Sequence, residues 1–164
     1  IQLDDAARLL TDEKYEAIPK TLNHGDAHPA NVLVKDSLHL TFIDLDWMAL
    51  HPPIYDLAFA LLFFTCDRPL DIDSGNIWSL SQPFSFNTPK MALFLQEYQQ
   101  EAGSLTRSMI YALIQQVKLT WLHCRIDGAK KVKVADMRQF LERELTAPFE
   151  WLKDNEEWFF EQQE

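Results

Sequence analysis

Apolar and polar positions divide the chain into short β-prone runs followed by a helical remainder. Leu3, Ala6, Leu9 and Leu10 recur at helical spacing, which predicts a helix over Gln2–Ala17 that Pro19 ends. Thr21–Asn23 is a brief β-prone run. Asn31–Lys35 and Leu38–Ile43 read as two arms of a hairpin turning at Asp36–Ser37. Pro52–Pro53 opens an apolar segment, Ile54–Thr65, with apolar side chains on nearly every face, as in a buried helix. Residues 67–89 carry Pro69, Gly75, Pro83 and Pro89 among Ile72, Trp78, Phe84 and Phe86. Structureless loops of that length are uncommon in a compact domain. The aromatics imply a tied-down segment with a short helix near Ile77.

Thr88–Pro89 supplies a capping hydroxyl and a proline at the first helical position, and Gly103 suits that helix's end. Met109, Ile110, Leu113, Ile114, Val117, Thr120, Trp121 and Cys124 hold a 3.6-residue period, and Gly128 is expected to stop them. A third helix is predicted from Val134 to Leu145, broken by Pro148, and a fourth over Phe149–Phe160. The predicted fold class is mainly α with a small β-hairpin, an α+β domain.

Composition narrows the class. At 164 residues and 19.1 kDa the chain is one domain. Apolar residues at 47% and charged residues at 24% exclude disorder, collagen-like repeats and coiled coil. The longest apolar run, near Leu57–Phe64, is far too short to span a bilayer, so no membrane partner is expected. A net charge of −10 disfavours nucleic acid as a partner. Cationic ligands, or anions carried with a metal, fit it. Cys66 and Cys124 are too few for a disulfide scaffold and lack CxxC spacing, which points to a reduced, cytoplasmic setting.

The chemistry concentrates in His24-Gly25-Asp26-Ala27-His28-Pro29-Ala30-Asn31, then Phe42-Ile43-Asp44-Leu45-Asp46-Trp47, then Asp56-Leu57-Ala58. A hairpin brings the ends of its arms together, so Asn31 and Asp44 can face one site. A carboxylate and an amide carbonyl are hard oxygen ligands suited to Mg²⁺, which takes its remaining ligands from phosphate and water. Asp26 in the adjoining loop can accept a proton from a substrate hydroxyl. Base, amide ligand and metal-binding Asp together form the phosphoryl-transfer template. Asp46, two residues beyond Asp44 on a strand, would point to the same side and reads equally as a weaker metal ligand or as a salt-bridge or capping residue.

HGDxHxxN, IDxD and DLA, in that order, resemble the aminoglycoside phosphotransferase and choline kinase family, small-molecule kinases with a protein-kinase-like fold. HGDAHPAN is similar to the protein-kinase loop HRDxxxxN, with Gly25 in place of Arg. The resemblance implies an ATP-dependent enzyme with Asp26 as catalytic base, Asn31 and Asp44 on Mg²⁺, and Asp56 structural. His24 would brace the loop, and His28 would brace it or approach the phosphates. Only 25 residues precede Asp26, too few for a five-stranded nucleotide lobe, and the four glycines form no Gly-rich loop. The single domain, residues 1–164, is therefore expected to be the C-terminal lobe alone, a poor kinase by itself. An apolar surface is expected where the other lobe docks, with a non-native dimer as one consequence.

From Glu142 to Glu164 acids outnumber bases. The bland reading is a solvated helix face. Under the resemblance, Glu150 and Asp154 would attract an aminoglycoside or amino alcohol, and Trp151 and Trp158 would add cation–π contacts or simply pack. His39, His51 and His123 have no partner spacing and read as surface or packing residues. Two other functions fit less well. One is a catalytically silent kinase-like binding or scaffolding module. The other is a metal-dependent phosphatase, which would need more converging ligands.

Overall fold

The computed structural model describes residues 15–36, 39–69, 84–131 and 133–162. Tyr15 and Glu16 are helical, but the rest of the predicted opening helix lies outside the described residues, as do Ser37 and the helix near Ile77.

The β-prone runs form two small antiparallel sheets rather than one hairpin. Strand β1 (Thr21–Asn23) pairs with β4 (Ala49–His51), Leu22 opposite Leu50. Strand β2 (Val32–Asp36) pairs with β3 (His39–Phe42), Val32 opposite Phe42, with a register shift between Val34 and Asp36. The β1–β4 pairing was not predicted because Ala49–His51 is too short to show a pattern. Asn23 ties this pair to the next element: its amide donates to the His51 carbonyl at 2.7 Å, and its Oδ1 accepts from the Asp56 N–H at 3.3 Å.

The buried segment after Pro52–Pro53 begins as helix α1 (Ile54–Ala60) and widens into a π-helical turn, Leu61–Thr65. The wider turn leaves carbonyls without the usual partners. Side chains take their place: Thr65 Oγ1 donates to Leu61 O at 2.6 Å, and the Arg68 guanidinium donates to Leu62 O.

Helix α2 (Thr88–Ala102) starts one residue earlier than expected. Asn87, not Thr88, is the cap, and its side chain accepts from the Lys90 N–H at 3.1 Å. Gly103, at φ 89°, ends it as predicted. Helix α3 (Arg107–Lys131) does not stop at Gly128, and its buried residues exceed the predicted stripe, including Gln115, Gln116 and Arg125. It is the central helix, packed against α1, α4 (Met137–Asp154) and α5 (Glu156–Glu161).

Pro148 sits inside α4 and does not break it. A proline removes the hydrogen bond to the carbonyl four residues back, here that of Glu144. The Trp121 indole N–H donates to that carbonyl at 3.2 Å, so the acceptor stays satisfied. The chain turns instead at Asn155, which divides the predicted fourth helix. The result is the mainly α fold with small β elements that the pattern predicts.

Candidate active site

The loop from His24 to Asn31 is held from several sides. Asp56, in the first turn of α1, accepts the N–H groups of His24 at 2.6 Å and Gly25 at 2.9 Å. Pro53 occupies the cap position of α1, and the Asp56 carboxylate reaches back to the loop. Gly25 adopts φ +85°, and an added Cβ would collide with the backbone carbonyl of Trp47. Glycine is thus required on two counts where the protein-kinase pattern has Arg: a left-handed backbone and close contact with the chain after Asp44.

Asp26 faces His28 and Asn31. His28 Nε2 lies 3.3 Å from Asp26 Oδ2, and the Asn31 amide donates to the same oxygen at 3.2 Å and to the Asp26 carbonyl at 3.0 Å. Burial alone would raise the Asp26 pKa. The hydrogen bond and charge of His28, then Asn31 and His24, outweigh it and hold the carboxyl below its ordinary value. Asp26 is therefore ionised at neutral pH. His28 is buried, its ring edge-on to Phe63 at 6.1 Å.

Ile43 joins this loop to the hairpin's far end. Its N–H donates to the Asn31 carbonyl at 2.9 Å, and its own carbonyl lies 3.0 Å from His24 Nε2. Both backbone groups of the residue before Asp44 are thereby tied to the Asp26 loop. Asp44 itself is exposed and takes φ 63°, a backbone state uncommon outside glycine but tolerated by Asp. Asp46 is exposed in the following turn. The strand assumed for Asp44 and Asp46 ends at Phe42, so the same-side argument for Asp46 does not hold.

No group of three or more His, Cys, Asp and Glu side chains gathers as a metal cluster among the described residues. Magnesium does not need one, since one or two protein oxygens suffice when phosphate supplies the rest. The Asn31 amide nitrogen is committed to Asp26, so a metal held by this side chain would have to meet its carbonyl oxygen.

A family profile described as the phosphotransferase enzyme family matches residues 1–109, a span that contains the whole loop-and-hairpin arrangement. The chain belongs to the phosphotransferase enzyme family. No curated protein matches the sequence. Among the described residues no helix is long and apolar enough to cross a membrane.

The phosphotransferase loop opens onto a cleft of about 450 Å³. Asp26 and His28 line one side. Tyr55, Phe59 and Phe63 form an aromatic wall, one helical turn apart, with centroid separations of 5.6 and 5.8 Å. Trp47 and the last turns of α3, with His123, Cys124, Arg125, Asp127, Gly128 and Lys131, complete the lining. These residues were not identified as site residues from the sequence, where Cys124 belonged to a core stripe. Their one signal was the i, i+4, i+8 spacing of three aromatics. His123 does have a helical partner, Asp127 at 3.4 Å, while His39 pairs with Asp36 and His51 with the Tyr15 hydroxyl. Burial pushes the Cys124 thiol up to about 11, which makes it a poor nucleophile.

The C-terminal candidates sit elsewhere. Glu150, Trp151, Asp154 and Trp158 do not line this cleft. Trp151 stacks on Phe86 at 4.1 Å, and Trp158 meets Phe159 edge-on at 5.0 Å.

Proposed function

We propose that this chain is the catalytic-loop lobe of an ATP- and Mg²⁺-dependent small-molecule kinase. It would move the γ-phosphoryl group to a hydroxyl of a small acceptor. The observation that supports this reading is the backbone linkage of Asp26, Asn31 and Ile43, which ties the Asp26 loop to the residue before Asp44. Asp26 accepts the hydroxyl's hydrogen bond and takes its proton as the alcohol oxygen bonds the γ-phosphorus. The bond from that phosphorus to the bridging oxygen breaks, and ADP departs. Asn31 and Asp44, with Asp46 a weaker candidate, are the oxygen donors that would hold Mg²⁺, whose bound charge neutralises the phosphates. His24 and His28 position the loop, and Asp56 anchors it through two backbone N–H groups. The ionised state of Asp26 suits a residue that orients a hydroxyl.

The other half of the nucleotide-binding cleft would come from a second lobe. Leu33, Val34, Leu40, Leu50 and Trp47, each more than half exposed, offer an apolar surface for it. Both cysteines are free, which fits the cytoplasmic setting where ATP is available.

The test is phosphoryl transfer by the protein carrying both lobes. Asp26→Ala and Asp44→Ala are each expected to lower turnover by roughly a thousandfold or more while the protein stays folded. Near-normal turnover in either variant would refute the assignment.

A further inference from the structure

We infer that the acceptor held in the cleft beside Asp26 is a neutral sugar ring rather than an amine. The inference rests on the kinase reading above, which makes this cleft the acceptor site. Two helices line it at the same spacing with opposite chemistry. Tyr55, Phe59 and Phe63 stand at i, i+4 and i+8 along α1 and its π turn and supply an apolar wall. His123, Asp127 and Lys131 stand at i, i+4 and i+8 along α3 and bring a polar stripe to the same cleft. A ligand that meets both needs an apolar face and a polar edge. A sugar ring has C–H groups on its faces and hydroxyls around its edge. Each hydroxyl both donates and accepts, which suits a stripe made of an ammonium, a carboxylate and an imidazole. The Tyr55 ring is stacked on His51 at 4.8 Å, and its hydroxyl makes no hydrogen bond to a described residue, so it is a further partner for such an edge. A purely hydrocarbon alcohol would displace water from the α3 stripe without replacing its hydrogen bonds.

Charge decides between a neutral sugar and an amine. The chain carries a net charge of −10, yet that excess does not extend into the cleft. Among the described residues, the carboxylates lining it are Asp26 and Asp127. Asp26 has His28 at 3.3 Å, and Asp127 has His123 at 3.4 Å and Lys130 at 3.8 Å. Arg125 lies 3.6 Å from Glu144, and Lys131 adds a positive charge to the lining. A cationic acceptor would find no carboxylate here without a nitrogen partner, and it would have to approach Lys131. Aromatic rings alone would suit a cation. The Arg68 guanidinium, however, already lies over the Phe63 ring, 4.9 Å from its centroid.

The probes are the methyl α-pyranosides of glucose, galactose, mannose and xylose, each titrated to high millimolar concentration into the chain and followed by backbone amide shifts. Methyl α-glucosaminide, the glucose ring with one ammonium, and choline are the cationic contrasts. At least one neutral pyranoside is expected to shift Phe59, Asp127 and Lys131 together and saturably. The glucosaminide should bind roughly tenfold or more weakly than its neutral parent, and choline should shift none of the three. Asp127→Ala should weaken the best pyranoside by about tenfold and Tyr55→Phe by about threefold, both with unchanged melting temperature. Silence from all four pyranosides would overturn the inference, as would glucosaminide binding as tight as that of the glucoside, choline shifts at Phe59, or unchanged affinity in either variant. A parallel titration with MnATP separates this from the kinase reading. Paramagnetic broadening at Asp44 without pyranoside binding would remove the sugar inference alone. Pyranoside binding without broadening at Asp44 would remove the kinase reading and leave a sugar-binding cleft.

Discussion

The helical body and the β platform handle the same kinds of side chain in opposite ways. Ile54, Leu62, Leu113, Val117 and Phe159 are each fully buried. Across the platform, Leu33 is 57% exposed, Val34 68%, Leu40 61% and Leu50 66%. Both regions carry large aliphatic side chains, so hydrophobicity alone does not say where water is excluded. In the body, helices α1, α3, α4 and α5 supply mutual partners. The platform has two sheets of two strands each, too few to cover their own faces. The Asp26 loop lies at the junction, anchored to the body through Asp56 and to the platform through Ile43.

The contrast gives the largest expected effect. Leu113→Ala should destabilise the domain by about 2–5 kcal/mol, whereas Leu40→Ala should change it by about 0.5 kcal/mol or less. Chemical denaturation of both variants checks this. Similar losses would mean that the platform's apolar side chains are covered within the chain.

Gly25→Ala probes the junction and should cost roughly 2–3 kcal/mol, from its left-handed backbone and the collision with Trp47. The loss should appear as earlier amide exchange in the loop than in α3. Stability equal to wild type would show that the loop and Trp47 can separate freely.

A smaller effect concerns pH. The Asp26 pKa is lowered, so its contribution is present above the ordinary carboxylate value of about 4 and is lost as pH falls through the folded value. His28→Ala removes the principal lowering contact and leaves burial, which raises the pKa. Acid titration of the Asp26 carboxyl by NMR should then move to higher pH, with the onset of acid-induced loss moving the same way. An unmoved titration would mean that His28 does not hold Asp26.

Much of this arrangement was legible in the sequence because it rests on local chemistry. HGDAHPAN forms the expected loop and the hairpin forms with arms Val32–Asp36 and His39–Phe42, while IDLD lies just past its second arm rather than on it. What was hidden depends on distant partners. Pro148 reads as a breaker until the Trp121 indole is seen on the Glu144 carbonyl. Gly128 reads as a stop until α3 is seen to continue to Lys131. The cleft's α3 wall was hidden because Cys124 fits a core stripe and only folding brings it to the cleft that Phe59 lines.

The central claim is that Asn31 and Asp44 hold the metal of a nucleotide complex beside Asp26. Paramagnetic broadening by Mn²⁺ with ATP, read across the backbone amides of this chain, tests it most directly. The account predicts broadening centred on Asp26, Asn31 and Asp44, and its loss in Asp44→Asn. Broadening centred instead on the acidic stretch around Glu150 and Asp154, or unchanged in Asp44→Asn, would contradict it.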